Sequence, residues 1–250
     1  MENRETIIAL LFWITMLALV WCIVFCVIHF YRLVKLGKVK DLSQKSGNVK
    51  EAIIYSNTTA MLPTQKESAY KHLPTYTAGI IYHIGTFLSL LFFFLLALLP
   101  FDMTKNWLIN TWWLLSCMAC FLLVSSLCGL SLLLKRVFSK KLRPISNFDD
   151  YFSNGIVTLF QLFTCLFCVM VTIVIRIITC ETLEWILPYA ALFKTTCYIT
   201  IYGYFITAII LFLYLPFGKL KHAVYYFAAR YHLGFFYGWR NTWKPKKEKQ

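Results

Sequence analysis

Charged side chains are scarce in this chain. Lysine, arginine, aspartate and glutamate make up 14% of its 250 residues, whereas 59% of the residues are hydrophobic and 18% are aromatic. A soluble domain carries about 25% charged residues, because its surface has to face water. The scarcity of charge therefore excludes a soluble globular protein and predicts a chain that lies largely in a lipid bilayer.

Polar interruptions are also few, and they leave five continuous apolar runs. Each run reaches the ~20 residues that an α-helix needs to cross a hydrocarbon core about 30 Å thick. The runs cover about Ile7 to Phe30, Tyr76 to Pro100, Trp107 to Leu134, Gly155 to Ile178 and Tyr189 to Leu215. The sequence therefore predicts an all-α fold, an integral membrane bundle of five transmembrane helices.

The basic residues are distributed unevenly between the two ends of these runs. Of the 25 lysines and arginines, eight lie in Tyr31–Thr75, five in Lys135–Asn154 and eight from Pro216 onward. Cytoplasmic loops carry an excess of lysine and arginine, so we expect the N-terminus outside and the C-terminus in the cytoplasm. This arrangement predicts a multi-pass protein of the cell inner (plasma) membrane. The net charge of +14 then reflects topology and contact with anionic membrane lipid, and it does not indicate nucleic-acid binding.

The chain divides at the end of the fifth run. Residues 1–222 are predicted to form a five-helix transmembrane domain, and residues 223–250 a basic amphipathic cytoplasmic tail of a kind that suits a membrane surface. The polar stretch from Gly37 to Pro74 is predicted to be a cytoplasmic docking surface. Before the fourth helix, Asp149 or Asp150 is expected to act as the N-terminal cap.

Nine cysteines lie in the apolar runs or at their edges, which excludes the loop spacing of a disulfide framework. The stretches "CMAC" (Cys117–Cys120) and "CLFC" (Cys165–Cys168) each place two thiols on one helix face. A metal or redox site is one interpretation of these pairs. The simpler one is that cysteine packs between helices as a small hydrophobic residue.

Histidine is absent between Ile84 and Lys221, and all five histidines fall in the predicted cytoplasmic half: His29, His72, His83, His222 and His232. A histidine inside an apolar run is costly in lipid and usually marks a site. Two imidazoles at similar depth on two helices are what a six-coordinate haem b needs. His83 and His222 meet that requirement. A hydrogen-bonded structural role for His83 and a solvated position for His222 remain the alternatives.

Three motifs carry a resemblance to a known family. They are "YHIG" at the opening of the second helix, "LPFGKLKH" (Leu215–His222) at the end of the fifth, and "RPISNFDDYFSNG" (Arg143–Gly155) before the fourth. Together they resemble the gamma-subunit family of respiratory nitrate reductase, which includes membrane cytochromes associated with dissimilatory sulfite reductase and heterodisulfide reductase. The resemblance covers most of the chain and implies the same five helices in the same orientation.

In that family two haems are stacked across the bilayer, each held by one histidine from the second helix and one from the fifth. The resemblance implies that His83 and His222 are the axial ligands of the cytoplasmic-side haem iron. At the two positions that hold the outer haem in the family, this sequence has Phe93 and Tyr204. The resemblance, with this departure, implies a single haem b.

The expected function is that of a membrane-anchoring electron-transfer subunit in a quinone-linked oxidoreductase complex. It would carry one b-type haem between the quinone pool and a cytoplasmic iron–sulfur oxidoreductase subunit. Candidate contacts for the haem propionates or for an acidic partner are Arg32, Lys35, Arg136, Lys140, Lys141, Lys219 and Lys221. The alternative for each of them is that it only fixes the membrane topology. The main alternative is a haem-free membrane anchor or assembly subunit. A small transporter is disfavoured, because the helix interiors offer few charges and no broken helix pair.

Overall fold

A computed structural model of the chain describes residues 2–37, 40–62, 72–98, 103, 108–180 and 190–242. In chain order the α-helices are α1 (Glu2–Lys35), α2 (Val49–Asn57), α3 (Leu73–Leu98), α4 (Trp112–Phe138), α5 (Phe148–Cys180), α6 (Ala190–Tyr214) and α7 (His222–Trp239). Short 3-10 turns occupy Thr59–Met61, Arg143–Ile145 and Lys219–Lys221. No β-strand occurs within the described ranges.

Five of these helices are long and apolar enough to cross a membrane: α1, α3, α4, α5 and α6. The shortest has 25 residues, which exceeds the ~20 residues that a hydrocarbon core requires. Mean hydropathy in their most apolar windows runs from 1.9 to 2.8. The predicted all-α membrane bundle of five helices is confirmed. The side of the membrane on which each terminus lies stays a prediction.

The start of α5 is fixed by a reciprocal pair of hydrogen bonds. The backbone N–H of Asp150 donates to the side-chain oxygen of Asn147 at 3.2 Å, and the backbone N–H of Asn147 donates to the Asp150 carboxylate at 3.0 Å. This is a capping box, in which two otherwise unpaired helix-terminal donors are satisfied together. The cap is therefore Asn147 and not Asp149 or Asp150, because the helix begins at Phe148.

The chain forms two compact units. The first comprises Met1–Cys22 and Thr77–Gly218, and the second comprises Ile23–Tyr76 and Lys219–Gln250. In the first unit α5 packs against both α4 and α6. A buried apolar cluster joins α3, α4 and α5, and its members are Phe92, Leu115, Ala119, Leu122, Cys165, Cys168 and Ile175.

In the second unit α2 packs on α7 through two glycines. A Cβ atom at Gly234 would lie 2.7 Å from the Cα of Ile53, and one at Gly238 would lie 2.7 Å from the Cα of Val49. The spacing of four residues puts both glycines on one face of α7, which lets the two backbones approach closely. Ala52 on α2 is almost completely buried by this contact.

Polar contacts fasten the rest of the second unit. The Ser56 hydroxyl donates to the Arg230 carbonyl at 2.8 Å, and Arg230 Nε donates back to the Ser56 carbonyl at 2.7 Å. The Trp239 indole donates to the Ser43 carbonyl at 2.7 Å. Arg240 donates to the Asp41 carboxylate at 2.9 Å, and this bond lowers the pKa of Asp41 to about 2.

These contacts join two segments that the sequence interpretation had treated separately, the stretch from Gly37 to Pro74 and the tail 223–250. Within the described residues, both belong to one folded unit. Residues 38–39 and 63–71 of the first segment and 243–250 of the second lie outside the described residues.

Candidate functional site

His83 lies on an exposed face of α3, about three turns from the start of that helix at Leu73. Its Nδ1 is 2.7 Å from the carbonyl oxygen of Gly79. A carbonyl oxygen can only accept, so Nδ1 carries the hydrogen and donates it. In the neutral ring this leaves the lone pair on Nε2 available to a metal ion.

The surroundings of His83 on α3 are apolar and open. Ile80, Ile84 and Phe87 flank it with between 40% and 71% of their surface exposed. A Cβ placed at Gly79 would meet no atom within 4 Å. This face therefore presents an imidazole nitrogen within a hydrocarbon surface.

His222 is the first residue of α7 and follows the 3-10 turn Lys219–Lys221. Its Nδ1 is 2.7 Å from the carbonyl oxygen of Lys219, and the side chain is exposed. By the same reasoning Nδ1 donates and Nε2 holds the free lone pair. A hydrogen bond from the second ring nitrogen is the usual device that orients a metal-binding histidine.

The other three histidines have different surroundings. His29 Nδ1 shares a hydrogen bond of 2.8 Å with the Tyr225 hydroxyl, so that nitrogen is already engaged by a side chain. The carbonyl of His72 accepts from the backbone of Thr75 at the start of α3. His232 lies edge-on to the Tyr231 ring, with ring centroids 5.7 Å apart.

His83 belongs to the first compact unit and His222 to the second. The assignment of both rings to one iron stays a prediction. What the two side chains share is the donor arrangement of the ring: Nδ1–H is held by a backbone carbonyl of the preceding helical turn, three or four residues earlier.

Phe93 and Tyr204 face each other across α3 and α6. Their ring centroids are 6.2 Å apart, and both side chains are buried. Tyr204 is stacked between two rings of α5, with centroids 5.7 Å from Phe160 and 5.1 Å from Phe167, while Phe93 meets Phe212 at 4.9 Å. Aromatic side chains therefore fill this part of the bundle.

A buried polar network lies directly behind His83. Gln161 of α5 is fully buried; its amide Nε2 donates to the Tyr82 carbonyl at 3.0 Å and to the Thr86 hydroxyl at 2.7 Å. The Ser125 hydroxyl of α4 donates to Gln161 Oε1 at 2.8 Å. These bonds hold the turn of α3 that carries His83 against α4 and α5, a role that the sequence interpretation did not assign to Gln161.

The two cysteine pairs differ in burial, since Cys165 and Cys168 are buried whereas Cys117 and Cys120 are exposed. Cys165 donates to the Ala119 carbonyl at 3.2 Å between α5 and α4, and Cys168 belongs to the buried apolar cluster. Within the described part of the chain, no three histidine, cysteine, aspartate or glutamate side chains come together as a metal-binding group. Packing between helices accounts for Cys165 and Cys168.

The basic candidates fall into two groups. Arg136 of α4 forms an ion pair with Asp150 at the start of α5, so its charge is already matched within the bundle. The others are exposed: Arg32, Lys35, Lys140, Lys141, Lys219 and Lys221.

Comparison with known protein families, with curated proteins and with solved structures gives no match for this chain. The resemblance to the gamma subunits of respiratory nitrate reductase thus stays a prediction that rests on the sequence motifs.

Proposed function

We propose that the chain is the membrane-anchoring electron-transfer subunit of a quinone-linked oxidoreductase complex. It carries one b-type haem whose iron takes Nε2 of His83 and Nε2 of His222. Electrons pass between the quinone pool and a cytoplasmic iron–sulfur oxidoreductase subunit. The exposed basic side chains, Lys140 and Lys141 among them, form the surface that receives this acidic partner.

One observation carries the proposal. In both histidines the backbone accepts the Nδ1 hydrogen at 2.7 Å, so in the neutral form of each ring the lone pair lies on Nε2. Histidines that bind iron need this arrangement, since only the nitrogen without hydrogen can donate a lone pair. The open apolar face around His83 is a second feature that suits haem.

The bound haem would supply one-electron redox chemistry, and the residues of the chain set the conditions for it. Gly79 and Lys219 orient the two rings through their carbonyls. Ile84 and Phe87 would give the macrocycle hydrocarbon neighbours, and burial of a haem helps to set its reduction potential. Gln161 fixes the turn of α3 on which His83 stands.

The Phe93–Tyr204 cluster supports a stoichiometry of one haem. Phenylalanine has no donor atom, and the Tyr204 ring is enclosed by Phe93, Phe160 and Phe167. With a single haem on the predicted cytoplasmic side, much of the hydrocarbon core of the membrane, which is about 30 Å thick, would contain no electron carrier. Quinone chemistry accordingly takes place near the inner leaflet or on another subunit.

Haem stoichiometry and two histidine variants test the proposal. Purified protein should show a low-spin b-type spectrum, and a pyridine haemochrome assay should give about one haem per chain. His83→Ala and His222→Ala should each abolish that spectrum, because each removes one of the two axial nitrogens. Membrane insertion, followed by membrane-fraction yield, should remain, because five apolar helices are unchanged in both variants.

The remaining histidines provide matched controls. His72→Ala and His232→Ala should keep the spectrum of the unmodified protein. Loss of haem in His72→Ala with retention in His83→Ala would contradict the ligand assignment. A ratio near two haems per chain would contradict the role of the Phe93–Tyr204 cluster, and a ratio of zero would favour the haem-free anchor or assembly subunit.

A further inference from the structure

A groove of about 240 Å³ runs between α4 and α5 in the first unit. From α4 it is lined by Ser116, Ala119 and Cys120, and from α5 by Val169, Thr172 and Ile173. The two hydroxyls donate to backbone carbonyls of their own helices: Ser116 to the Trp112 carbonyl at 3.1 Å and Thr172 to the Cys168 carbonyl at 2.9 Å. The wall of the groove is therefore effectively hydrocarbon.

A cation and an indole stand together at one end of this groove. Trp112 is one turn, about 6 Å, before Ser116 on α4, and Arg176 is one turn after Thr172 on α5. The two helices meet there, because the guanidinium carbon of Arg176 lies over the Trp112 ring, 4.8 Å from its centroid. The Arg176 side chain is exposed.

We propose that this groove is a binding site for an anionic phospholipid. One acyl chain occupies the groove between α4 and α5, and the phosphate lies on the Arg176 guanidinium at its end. The assignment follows from charge complementarity: a hydrocarbon channel that ends in a cation matches a molecule with an apolar chain and an anionic head.

The Trp112 ring explains why arginine suits this position. Stacking on an aromatic face holds the planar guanidinium while its N–H donors stay free at the edge. Two of those donors can bond two oxygens of one phosphate group. In a zwitterionic lipid the phosphate is already neutralised by the cation of the same headgroup, whereas in an anionic lipid it has no such cation. Tryptophan itself favours the depth of the headgroups. A neutral isoprenoid quinone would fill the groove equally well but would gain nothing from the charge.

The test measures the thermal unfolding midpoint of the full chain in detergent with added dioleoyl phosphatidylglycerol or dioleoyl phosphatidylcholine at equal concentration. A ligand that binds the folded state raises the midpoint. Phosphatidylglycerol should raise it by about 5 °C more than phosphatidylcholine when the site is saturated. Arg176→Gln should remove that difference, and Arg176→Lys should keep only part of it, because the charge remains but the stacked planar guanidinium and its paired donors are lost.

Arg4 gives a matched control for the charge. It also lies over an aromatic ring, that of Tyr198 at 5.0 Å, but it belongs to α1, and the groove is lined only by residues of α4 and α5. Arg4→Gln should keep the full phosphatidylglycerol advantage. Equal losses in Arg4→Gln and Arg176→Gln would overturn the proposal, and so would an advantage that survives Arg176→Gln.

Two exposed cysteines of α4 give a matched control for the groove. Cys120 lines it and Cys117 does not. Cys120→Phe should fill the space and reduce the stabilisation by both lipids, while Cys117→Phe should leave both intact. Identical behaviour of these two variants would overturn the site. A midpoint increase by added ubiquinone that exceeds the phosphatidylglycerol effect and survives Arg176→Gln would assign the groove to an isoprenoid and also overturn it.

Discussion

Gln161 is the residue at which three helices of the first unit meet. Its amide bonds two groups of α3, and its carbonyl oxygen accepts the Ser125 hydroxyl of α4. A glutamine in the middle of an apolar helix would be costly in lipid if those partners were missing, because water cannot replace them there. Its position therefore fixes the rotation of α5 relative to α3 and α4.

Replacement of Gln161 by leucine should destabilise the bundle. Three side-chain hydrogen bonds are lost, and in membrane proteins each is worth ~0.6 kcal/mol on average, so we expect a loss of about 2 kcal/mol. Reversible unfolding in mixed detergent micelles measures it. Thr172→Val is the control, since that hydroxyl bonds only the Cys168 carbonyl of its own helix among the described groups. Equal effects in the two variants would contradict the role of Gln161.

His83 and Gln161 show what a sequence reveals about single residues in a membrane helix. Both stand out by composition, because polar side chains in an apolar run are expensive. Their partners could not be predicted. In soluble proteins the buried face of a helix is identified by its periodic apolar stripe, but here lipid and protein core are equally apolar. The hydropathy pattern therefore does not predict how α3, α4 and α5 are rotated about their axes, and this rotation is what brings Ser125 and Tyr82 to Gln161.

At the scale of elements, α2 and α7 form the contact that sequence analysis missed. Ser56 and Arg230 form hydrogen bonds with each other although 174 residues separate them in sequence. Neither segment carries a sequence pattern that predicts the other as its partner. The small residues Ala52, Gly234 and Gly238 indicate a close helix contact in retrospect. The five long helices, in contrast, could be predicted from the sequence, because the thickness of the bilayer sets a minimum length for an apolar run that crosses it.

Gly234→Ala and Gly238→Ala should loosen the packing of α2 on α7. Each added methyl group would meet backbone atoms at 2.7 Å to 2.9 Å, and overpacking of this kind costs about 1–3 kcal/mol. Hydrogen exchange should rise in α2 and in the backbone N–H of Ser46, which donates to the Trp239 carbonyl.

Gly155 supplies the control for this pair of substitutions. A Cβ there would meet nothing within 4 Å, so Gly155→Ala should leave exchange in α2 unchanged and stability equal or higher, because alanine favours a helix more than glycine does. Unchanged exchange in Gly234→Ala would show that the glycines are not required for the contact.

At the scale of the whole molecule, described residues of the first unit mark two opposite ends of its helices. Arg136, Asp149 and Asp150 lie where α4 ends and α5 begins, and the Tyr214 hydroxyl at the end of α6 bonds the Asp149 carboxylate. At the opposite ends of α4 and α5, the Arg176 guanidinium lies over the Trp112 ring. The structure defines these two ends, and the positive-inside rule predicts which one faces the cytoplasm.

Reporter fusions test that orientation. Fusions at Asn48, Lys105, Lys140, Glu184 and Lys247 should report cytoplasm, outside, cytoplasm, outside and cytoplasm in turn, since 21 of 25 basic residues lie in the three segments predicted to be cytoplasmic. Lys105, Glu184 and Lys247 lie outside the described residues, so the prediction for them rests on the sequence. A cytoplasmic signal at Lys105 would invert the orientation. It would then place His83 and His222 away from the cytoplasm, and an iron–sulfur partner on the cytoplasmic side could no longer receive electrons from them.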